Sequence, residues 1–517
     1  MLDVKITNGT FIDGTGRPAR RTDVGVAGDV IEAIGDLSEA AAAKMIDATG
    51  CLVVPGFIDI HSHSDGQILE WPGSDSKLRQ GVTTEVTGNC GHSSAPYDPE
   101  RDAGSVDRRP WRDVASFFAY IESSGTGTNI AMLAGHGNLR LFEIGTSAAK
   151  ATPENLRRMQ AHLKQCLDDG CAGLSSGLIY FPGLFADRDE LAALARCLPA
   201  GRMYTTHMRN ESSLLFKALE EALATAEEAG SRLEISHLKA CGKDVWGRAG
   251  EVLDLIERSA KNGLDVSFDA YPYNATHTGL GQLFPPWTHE GGREALVARL
   301  QDGSLRKRIA EEVHSGDTSW ENILIAAGPE NIVIGNSKSG KYDGTRLSDI
   351  AAGMGLEPFD AACEVIIAEQ GEASIITFEM KEDDVDLILS HRLCCICSDG
   401  SGLGSGVRGH PHPRNFGAFA RFLSEYLIKR QIVPLEEGVR RMTSFPAERA
   451  NISRRGVLAR GYHADVIVVD PEKMRVPASF PDPKRHAEGF KLVLVNGRAA
   501  VENDALTGTR AGKVIRY

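Results

Sequence analysis

The sequence lacks the features that mark membrane-spanning, nucleic-acid-binding and disulfide-rich secreted proteins. No apolar run approaches the ~20 residues needed to cross a bilayer, and the start of the chain has no basic-then-apolar export signal. Lys and Arg number 57 against 70 Asp and Glu, a formal charge of −13, which argues against nucleic acid or an anionic membrane as a partner. Ten cysteines without regular spacing argue against a disulfide framework. We therefore expect a protein of the reducing cytoplasm.

What is present is the composition of a globular enzyme with more than one domain. Hydrophobic residues make up 42% and charged residues 25% of 517 residues, a length that exceeds one ordinary hydrophobic core. Short alternating runs broken by Gly and Asp fill residues 1–55 ("LDVKITNGTFID") and 450–517 ("GVLARGYHADVIVVD"). Such runs predict strands, and together they predict one small β-sandwich domain built from both chain ends.

Between these ends, in residues 56–449, strand-length apolar runs alternate with amphipathic helical segments, as in βα units around a parallel sheet. Eight candidate strands end at polar or thiol side chains: His61, Cys90, His136, Ser175, His207, His237, Asp269 and Asp399. This pattern predicts the α/β class and a (β/α)8 TIM-type barrel with its active site at the strand C-termini. The long gap between the last two strands predicts a lid insertion late in the barrel, at about 285–350.

The stretch "GFIDIHSHSD" first suggests a metal. In a strand, His61 and His63 point to the same side, about 6 to 7 Å apart, so both imidazoles can converge on one ion. An isolated His-x-His is more often one solvated and one hydrogen-bonded histidine, so the remaining strand ends decide the matter.

Six candidate ligands fall at the C-termini of the predicted barrel strands: His61, His63, Cys90, His207, His237 and Asp399. Imidazole, thiolate and carboxylate suit Zn²⁺. One catalytic zinc uses three protein ligands, whereas a two-metal site with a bridging thiolate would use all six. Each residue alone has an ordinary alternative, such as a buried cysteine, a loop-bonded histidine or a turn-capping aspartate.

The motifs of the chain resemble those of the N-acyl-D-amino-acid deacylases, or D-aminoacylases, of the amidohydrolase superfamily. They are "GFIDIHSH", "GVTTEVTGNCG", "GLSSGLIYFPG", "THMRNES", "ISHLKACG", "DAYPY" and "SDGSG" with "HPHPRNFG", in the order of the family and over essentially the whole chain. The resemblance implies zinc-dependent hydrolysis of the amide bond of an N-acyl-D-amino acid, which gives a carboxylic acid and a free D-amino acid.

The resemblance also implies metal-binding roles. Cys90, His207 and His237 would hold one tightly bound zinc. The pair His61 and His63, with Asp399 and a shared Cys90, would form a second, weaker position. Metal coordination lowers the pKa of bound water toward ~7, and the resulting hydroxide would attack the amide carbonyl. The same aspartate would act as general base and then as general acid toward the leaving amine.

For the substrate carboxylate, the resemblance implies Tyr180, Lys239 and Arg414 as binding residues. Two departures from the family pattern, His92 and Leu238, lie beside the predicted ligands and leave the identity of the acyl group and side chain open. We expect a small-molecule partner, and a monomer or small homo-oligomer.

Two alternatives remain at this stage. The same machinery could act on D-configured dipeptides or on cyclic amides, as in hydantoinases and dihydroorotases. Lys239 and Arg414 favour a substrate with a carboxylate. The chain could also be an inactive barrel with a binding role, but that alternative predicts a missing ligand, and none of the six is missing.

Overall fold

Eight parallel strands form the central ring of the computed structural model, which describes residues 1–98 and 109–517. We label them β1 to β8 in chain order: Phe57–Asp59, Val82–Thr87, Asn129–Met132 continued at Ala134–Gly135, Gly173–Gly177, Met203–His207, Arg232–Ile235, Val266–Ala270 and Cys394–Ile396. Consecutive strands pair in parallel. A parallel bridge between Ser62 and Gly400 closes the ring between β1 and β8. The predicted α/β class and TIM-type barrel are confirmed.

Helices follow the strands and cover the outside of the ring. In Leu215–Ala229, the buried residues include Leu215, Leu219 and Leu223, a four-residue spacing that places one apolar stripe against the barrel. The other helices around the ring are Asp75–Leu78, Val114–Ser124, His136–Ile144, Pro153–Asp168, Arg188–Ala195, Ala249–Lys261, Glu382–Ser390, Arg414–Arg421, the π-helical Phe422–Lys429, Leu435–Met442 and Ser444–Arg449, with 3-10 turns at Ser64–Gln67 and Gly183–Phe185.

Two further sheets are built from the ends of the chain, the first from the N-terminal segment alone and the second from both ends. The first orders Val30–Gly35, Asp23–Ala27, Leu2–Thr7 and Ala42–Asp47, and the second orders Ala505–Leu506, Arg498–Glu502, Phe490–Val495, Val466–Val469, Leu52–Pro55, Thr10–Phe11 and Arg20–Arg21. Successive side chains of the second sheet point to opposite faces and so pack into two different cores. Val466 and Val468 pack with residues of the first sheet, whereas Ile467 and Val469 belong to the barrel core. The pairing of residues 52–55 with 466–469 supports the domain limits of 1–55 and 450–517, which stay a prediction.

An inserted unit with its own hydrophobic core lies between β7 and β8. Its antiparallel sheet orders Ala275–Gly279, Ala373–Phe378 and Ile332–Ser337. Its helices are Arg293–Gln301, Gly303–His314, Ile323–Ala327, Leu347–Met354 and Pro358–Ala368, with 3-10 turns at Leu280–Leu283, Pro286–His289 and Pro329–Asn331. The core of this unit runs from Leu280 to Ile375. The predicted lid at about 285–350 lies within it, and its limits stay a prediction.

Two further features concern membrane-spanning helices and disulfide bonds, both of which the sequence argues against. Among the described residues, helices long and apolar enough to cross a membrane are absent. All ten cysteines are unpaired, and all but Cys197 are buried.

Candidate metal centre

The six predicted ligands meet at the C-terminal end of the barrel. His61 and His63 follow β1, and Cys90 follows β2. His207 ends β5 and His237 follows β6, on the far side of the ring, whereas Asp399 follows β8, which neighbours β1. All are buried except His63, whose side chain is 33% exposed.

The thiol of Cys90 is the central group of the cluster. Its Sγ lies 3.3 Å from Nε2 of His61, 3.7 Å from Nδ1 of His207 and 3.5 Å from Nε2 of His237. Ligands that each lie ~2.0–2.3 Å from one tetrahedral zinc are separated from one another by roughly 3.5 Å. The sulfur and these ring nitrogens therefore have the spacing of ligands around one ion or two neighbouring ions.

Asp399 links the β1 histidines to the same cluster. Its Oδ1 lies 3.5 Å from Nε2 of His61 and 3.2 Å from Nε2 of His63. Ligand atoms of His61, Cys90, His237 and Asp399 all lie within 4.8 Å of one another. The structure thus places a carboxylate oxygen beside the imidazoles of His61 and His63.

Three of these residues have strained backbone conformations. Cys90, His237 and Asp399 adopt φ angles of 54°, 34° and 47°. Positive φ is uncommon for residues with a side chain and costs of order 1–3 kcal/mol each. Such strain concentrates at functional sites, because the surrounding structure holds the residue where its chemistry requires it.

A carboxylate behind the cluster orients two of its histidines. Oε1 of Glu211 lies 3.1 Å from Nδ1 of His237, and Oε2 lies 3.6 Å from Nε2 of His207. In both rings the nitrogen that faces Glu211 is the one opposite the nitrogen that faces the thiol. This is the carboxylate–histidine–metal arrangement, which fixes the tautomer and ring orientation of ligating histidines.

A second carboxylate, that of Asp269, contacts His61 and the backbone of His237. Its carboxylate oxygens lie 3.2 and 3.4 Å from Nδ1 of His61. Its Oδ1 also accepts a hydrogen bond of 2.8 Å from the backbone N–H of His237. One carboxylate at the end of β7 therefore positions residues from β1 and β6.

The charges of the cluster favour ionised ligands. Burial by itself raises the pKa of the Cys90 thiol, but the neighbouring His61 and His237 hold it well below its usual range. Burial likewise opposes ionisation of Asp399, whereas the Arg414 guanidinium holds the pKa of that carboxyl well below its usual value. Thiolates and carboxylates are the forms that bind metals.

The donor set fits zinc. Nitrogen and sulfur donors with one carboxylate are the ligands that Zn²⁺ prefers, and Mg²⁺ or Ca²⁺ would require mainly oxygen. The residues present thus match both the chemistry and the spacing of a zinc centre.

The three predicted substrate-binding residues line one cavity beside the ligands. Nη1 of Arg414 lies 2.8 Å from Oδ2 of Asp399. Nζ of Lys239 donates to both oxygens of Glu211 at 2.9 Å. The ring of Tyr180 lies 4.8 Å from that of His207.

Three residues of the site were not among the sequence-predicted ones: Glu211, Asp269 and Tyr271. Glu211 stands four residues after His207 inside "THMRNES", and Asp269 was identified only as a strand end. Tyr271 lies two residues beyond Asp269, on the same side of the chain if the strand is extended. It is a cavity-lining residue whose ring contacts both Arg414 and Lys239.

Comparisons with known proteins give consistent relatives. The model of the amidohydrolase family matches residues 44–309 and 361–501. N-acyl-D-glutamate deacylase of Alcaligenes xylosoxydans xylosoxydans is 35% identical over 521 residues, 100% of this chain and 96% of the relative. The crystal structure of N-acyl-D-glutamate deacylase from Bordetella bronchiseptica, complexed with zinc and a phosphonate inhibitor, has a TM-score of 0.85 and 35% identity and covers 100% of both chains. A D-aminoacylase structure with a binuclear metal centre has a TM-score of 0.85 and 34% identity, again over 100% of both chains.

Proposed function

This chain belongs to the amidohydrolase family, and from that premise we propose that it is a zinc-dependent N-acyl-D-amino-acid deacylase. It would cleave the linear amide bond and release a carboxylic acid and a free D-amino acid. The observation that carries the proposal is the Cys90 thiol, with ring nitrogens of three histidines within 3.7 Å, in a chain similar along its whole length to such enzymes.

We assign the metal ligands as follows. Cys90, His207 and His237 would hold one tightly bound zinc, supported by the carboxylate of Glu211 behind both histidines. A second, weaker position would use His61, His63, Asp399 and the shared thiol. Bound zinc supplies a Lewis acid and a water of lowered pKa.

Asp399 is the residue proposed to move the proton. Its carboxyl is ionised at neutral pH because of Arg414, so it can accept a proton from the attacking water. The protonated aspartate would then donate this proton to the nitrogen of the leaving amine. One carboxyl would thus act first as the base and then as the acid.

The substrate carboxylate would bind between two cations. Arg414 and Lys239 both contact the ring of Tyr271, at 4.7 and 5.9 Å from its centre. The hydroxyl of Tyr271 is buried without a hydrogen-bond partner among the described residues, so it can donate to a carboxylate. Tyr180 would lie on the opposite wall, against His207. Two cations and a free hydroxyl favour an acyl amino acid over a neutral cyclic amide.

Turnover of paired enantiomers tests the proposal. Zinc-loaded protein is assayed for free amino acid from N-acetyl-D- and N-acetyl-L-amino acids, beside Cys90→Ala and the matched variant Cys171→Ala, which also removes a buried thiol but lies outside the site. We expect turnover of D-compounds only, lost in Cys90→Ala and kept in Cys171→Ala. Turnover of cyclic amides or dipeptides instead would contradict it.

We further propose a cytoplasmic monomer or small homo-oligomer. The unpaired state of all ten cysteines supports a reducing compartment.

A further inference from the structure

Two carboxylates on the insertion side of the candidate catalytic cavity have no cation to pair with. Glu321 and Glu379 line the cavity that also contains Asp399, Lys239 and Arg414. Both cations of that cavity are already engaged, Lys239 with Glu211 and Arg414 with Asp399. Within residues 1–98 and 109–517, neither Glu321 nor Glu379 forms an ion pair, which is unusual for acidic side chains in a closed space.

Glu379 is held rigidly with one oxygen left over. Its side chain is 3% exposed, and its Oε1 accepts hydrogen bonds of 2.6 Å from Thr377 and 3.0 Å from Thr276. Its backbone carbonyl accepts from the Gly242 N–H and the Trp246 indole, both at 2.8 Å. Oε2 has no hydrogen-bond donor among the described residues. A fixed carboxylate with a free oxygen is preorganised for a donor that comes from outside the chain.

Glu321 has a similar arrangement. Its Oε2 accepts the backbone N–H of Glu211, and Oε1 has no hydrogen-bond donor within the described part of the chain. Burial first, and then the charges of Glu211 and Glu379, raise its pKa to about 8, so this carboxyl holds a proton near neutral pH until a cation enters the cavity and stabilises its ionised form. It also borders a second cavity of about 730 Å³, whose walls include the apolar side chains of Phe284 and Trp320.

An independent observation points to a ligand in the same cavity. Tyr271 is 4% exposed, lines the cavity and has a hydroxyl without a hydrogen-bond partner among the described residues. Buried polar groups nearly always have a hydrogen-bond partner, and a buried group without one costs about 1–3 kcal/mol of stability. The free hydroxyl would donate to the α-carboxylate of a substrate, and the free oxygens of Glu321 and Glu379 would accept from a donor elsewhere on the same molecule.

We infer that the amino-acid side chain of the substrate ends in a cation, so that the substrates are N-acyl derivatives of basic D-amino acids such as D-lysine and D-arginine. This inference rests on the proposed function. The α-carboxylate would take Arg414 and Lys239, and the ammonium or guanidinium of the side chain would donate to Glu321 and Glu379. The methylene stem would lie against the apolar wall of the adjoining cavity. An acidic side chain would place like charges together and is disfavoured.

Substrates that differ in the charge at the end of the side chain test the inference. kcat/KM is measured for N-acetyl-D-lysine, for the neutral N-acetyl-D-norleucine and for N-acetyl-D-glutamate. We expect the lysine compound to exceed the norleucine compound at least about 10-fold, mainly through KM, since one well-placed ionic contact contributes about that factor or more. A norleucine value equal to or above the lysine value, or a preference for glutamate, overturns the inference.

Two isosteric variants assign the effect to the two carboxylates. Glu379→Gln keeps an oxygen for the threonine hydroxyls, and Glu321→Gln keeps one for the Glu211 N–H. Each variant should lower the ratio of kcat/KM for the lysine compound to kcat/KM for the norleucine compound at least about fivefold, through KM. A loss of folded protein would lower both values alike and leave this ratio unchanged. The exposed Glu294→Gln, in the same insertion, should keep the ratio of the parent enzyme. Ratios unchanged in both cavity variants overturn the inference.

Binding separates this inference from the proposed function. Affinities of N-acetyl-D-lysine and N-acetyl-D-norleucine for zinc-loaded Asp399→Asn protein are measured by calorimetry, which needs no turnover. Hydrolysis of D-compounds without a lysine preference supports the proposed function and overturns the inference. Tighter binding of the lysine compound without hydrolysis of any acyl-D-amino acid by the parent enzyme supports the cation site and overturns the proposed function. Equal binding of the two compounds overturns the inference.

Discussion

Arg414 places Nη1 2.8 Å from Oδ2 of Asp399, and both side chains are buried at the C-terminal end of the barrel. Oδ1 of the same carboxylate faces the β1 histidines, so its two oxygens serve different partners. The guanidinium keeps the carboxyl ionised where burial alone would neutralise it. Arg414, proposed above as a substrate-binding residue, therefore also controls the protonation state of the proposed general base.

Replacement of this arginine should change the pH dependence of catalysis. In the parent enzyme the pKa of Asp399 is lowered, so this base is ionised at pH values above that low pKa, and its own protonation reduces activity only as the pH drops through it. Arg414→Met removes the main cause of the lowering, which should move the acid limb of the kcat/KM profile to higher pH. Loss of a buried charge partner costs about 2–5 kcal/mol, or roughly 30-fold and more in kcat/KM.

The pH profile of Arg414→Met checks this, with Arg421→Met as the control. Arg421 lies at the end of the same helix and contacts the ring of Tyr273 rather than the aspartate. An acid limb that does not move in Arg414→Met would show that the arginine does not set the pKa of Asp399.

Glu211 should control how tightly the first zinc is held. Glu211→Gln removes the negative charge that faces His207 and His237 while it keeps the size of the side chain. Loss of such an orienting carboxylate typically weakens metal affinity 10–100-fold. Zinc affinity is measured by competition with a chromogenic chelator. Glu227→Gln, an exposed glutamate of helix Leu215–Ala229, is the matched control and should bind zinc like the parent.

The two metal positions should separate by mutation. His207→Asn removes a ligand of the tight position, and we expect protein that keeps no zinc after dialysis and has no activity. His63→Asn removes a ligand only of the weaker position, so one zinc per chain should remain. The metal content of each variant, measured by atomic absorption after dialysis against increasing zinc concentrations, distinguishes the two variants. Equal retention in both variants would contradict the assignment of two unequal positions.

The strand ends could be predicted from the sequence because parallel barrel strands are buried on both faces. Their apolar runs stop at polar side chains such as His207 and Asp399. From these strand ends both the barrel and the six clustered residues could be predicted. Contacts between distant segments carry no such local signal. Glu211 contacts His237 across 26 residues, and strands Ala275–Gly279 and Ala373–Phe378 pair across about a hundred, so neither could be predicted from the pattern.

Lys77 shows the same limit at the seam where the ring closes. In "GSDSKLRQG" it looks like a solvated lysine at a helix, yet it is fully buried. Its Nζ donates to Oδ2 of Asp59 and Oγ of Ser398 at 2.6 Å, and to the carbonyl of Gly400 at 3.0 Å. One ammonium thus ties the end of β1 to the residues on both sides of Asp399.

Removal of this ammonium should destabilise the fold and loosen the second metal position together. Lys77→Met keeps the length of the side chain but leaves Asp59 buried without its cation, which costs about 3–5 kcal/mol of unfolding free energy. Urea unfolding of the zinc-loaded protein measures the loss, with the exposed Lys217→Met as control. The double variant Lys77→Met with Asp59→Asn removes the uncompensated charge as well, and we expect it to regain part of the loss. Because Lys77 contacts the residues on both sides of Asp399, the single variant should also bind the second zinc more weakly than the parent enzyme does. A stability equal to that of the parent would show that the buried pair does not hold the seam.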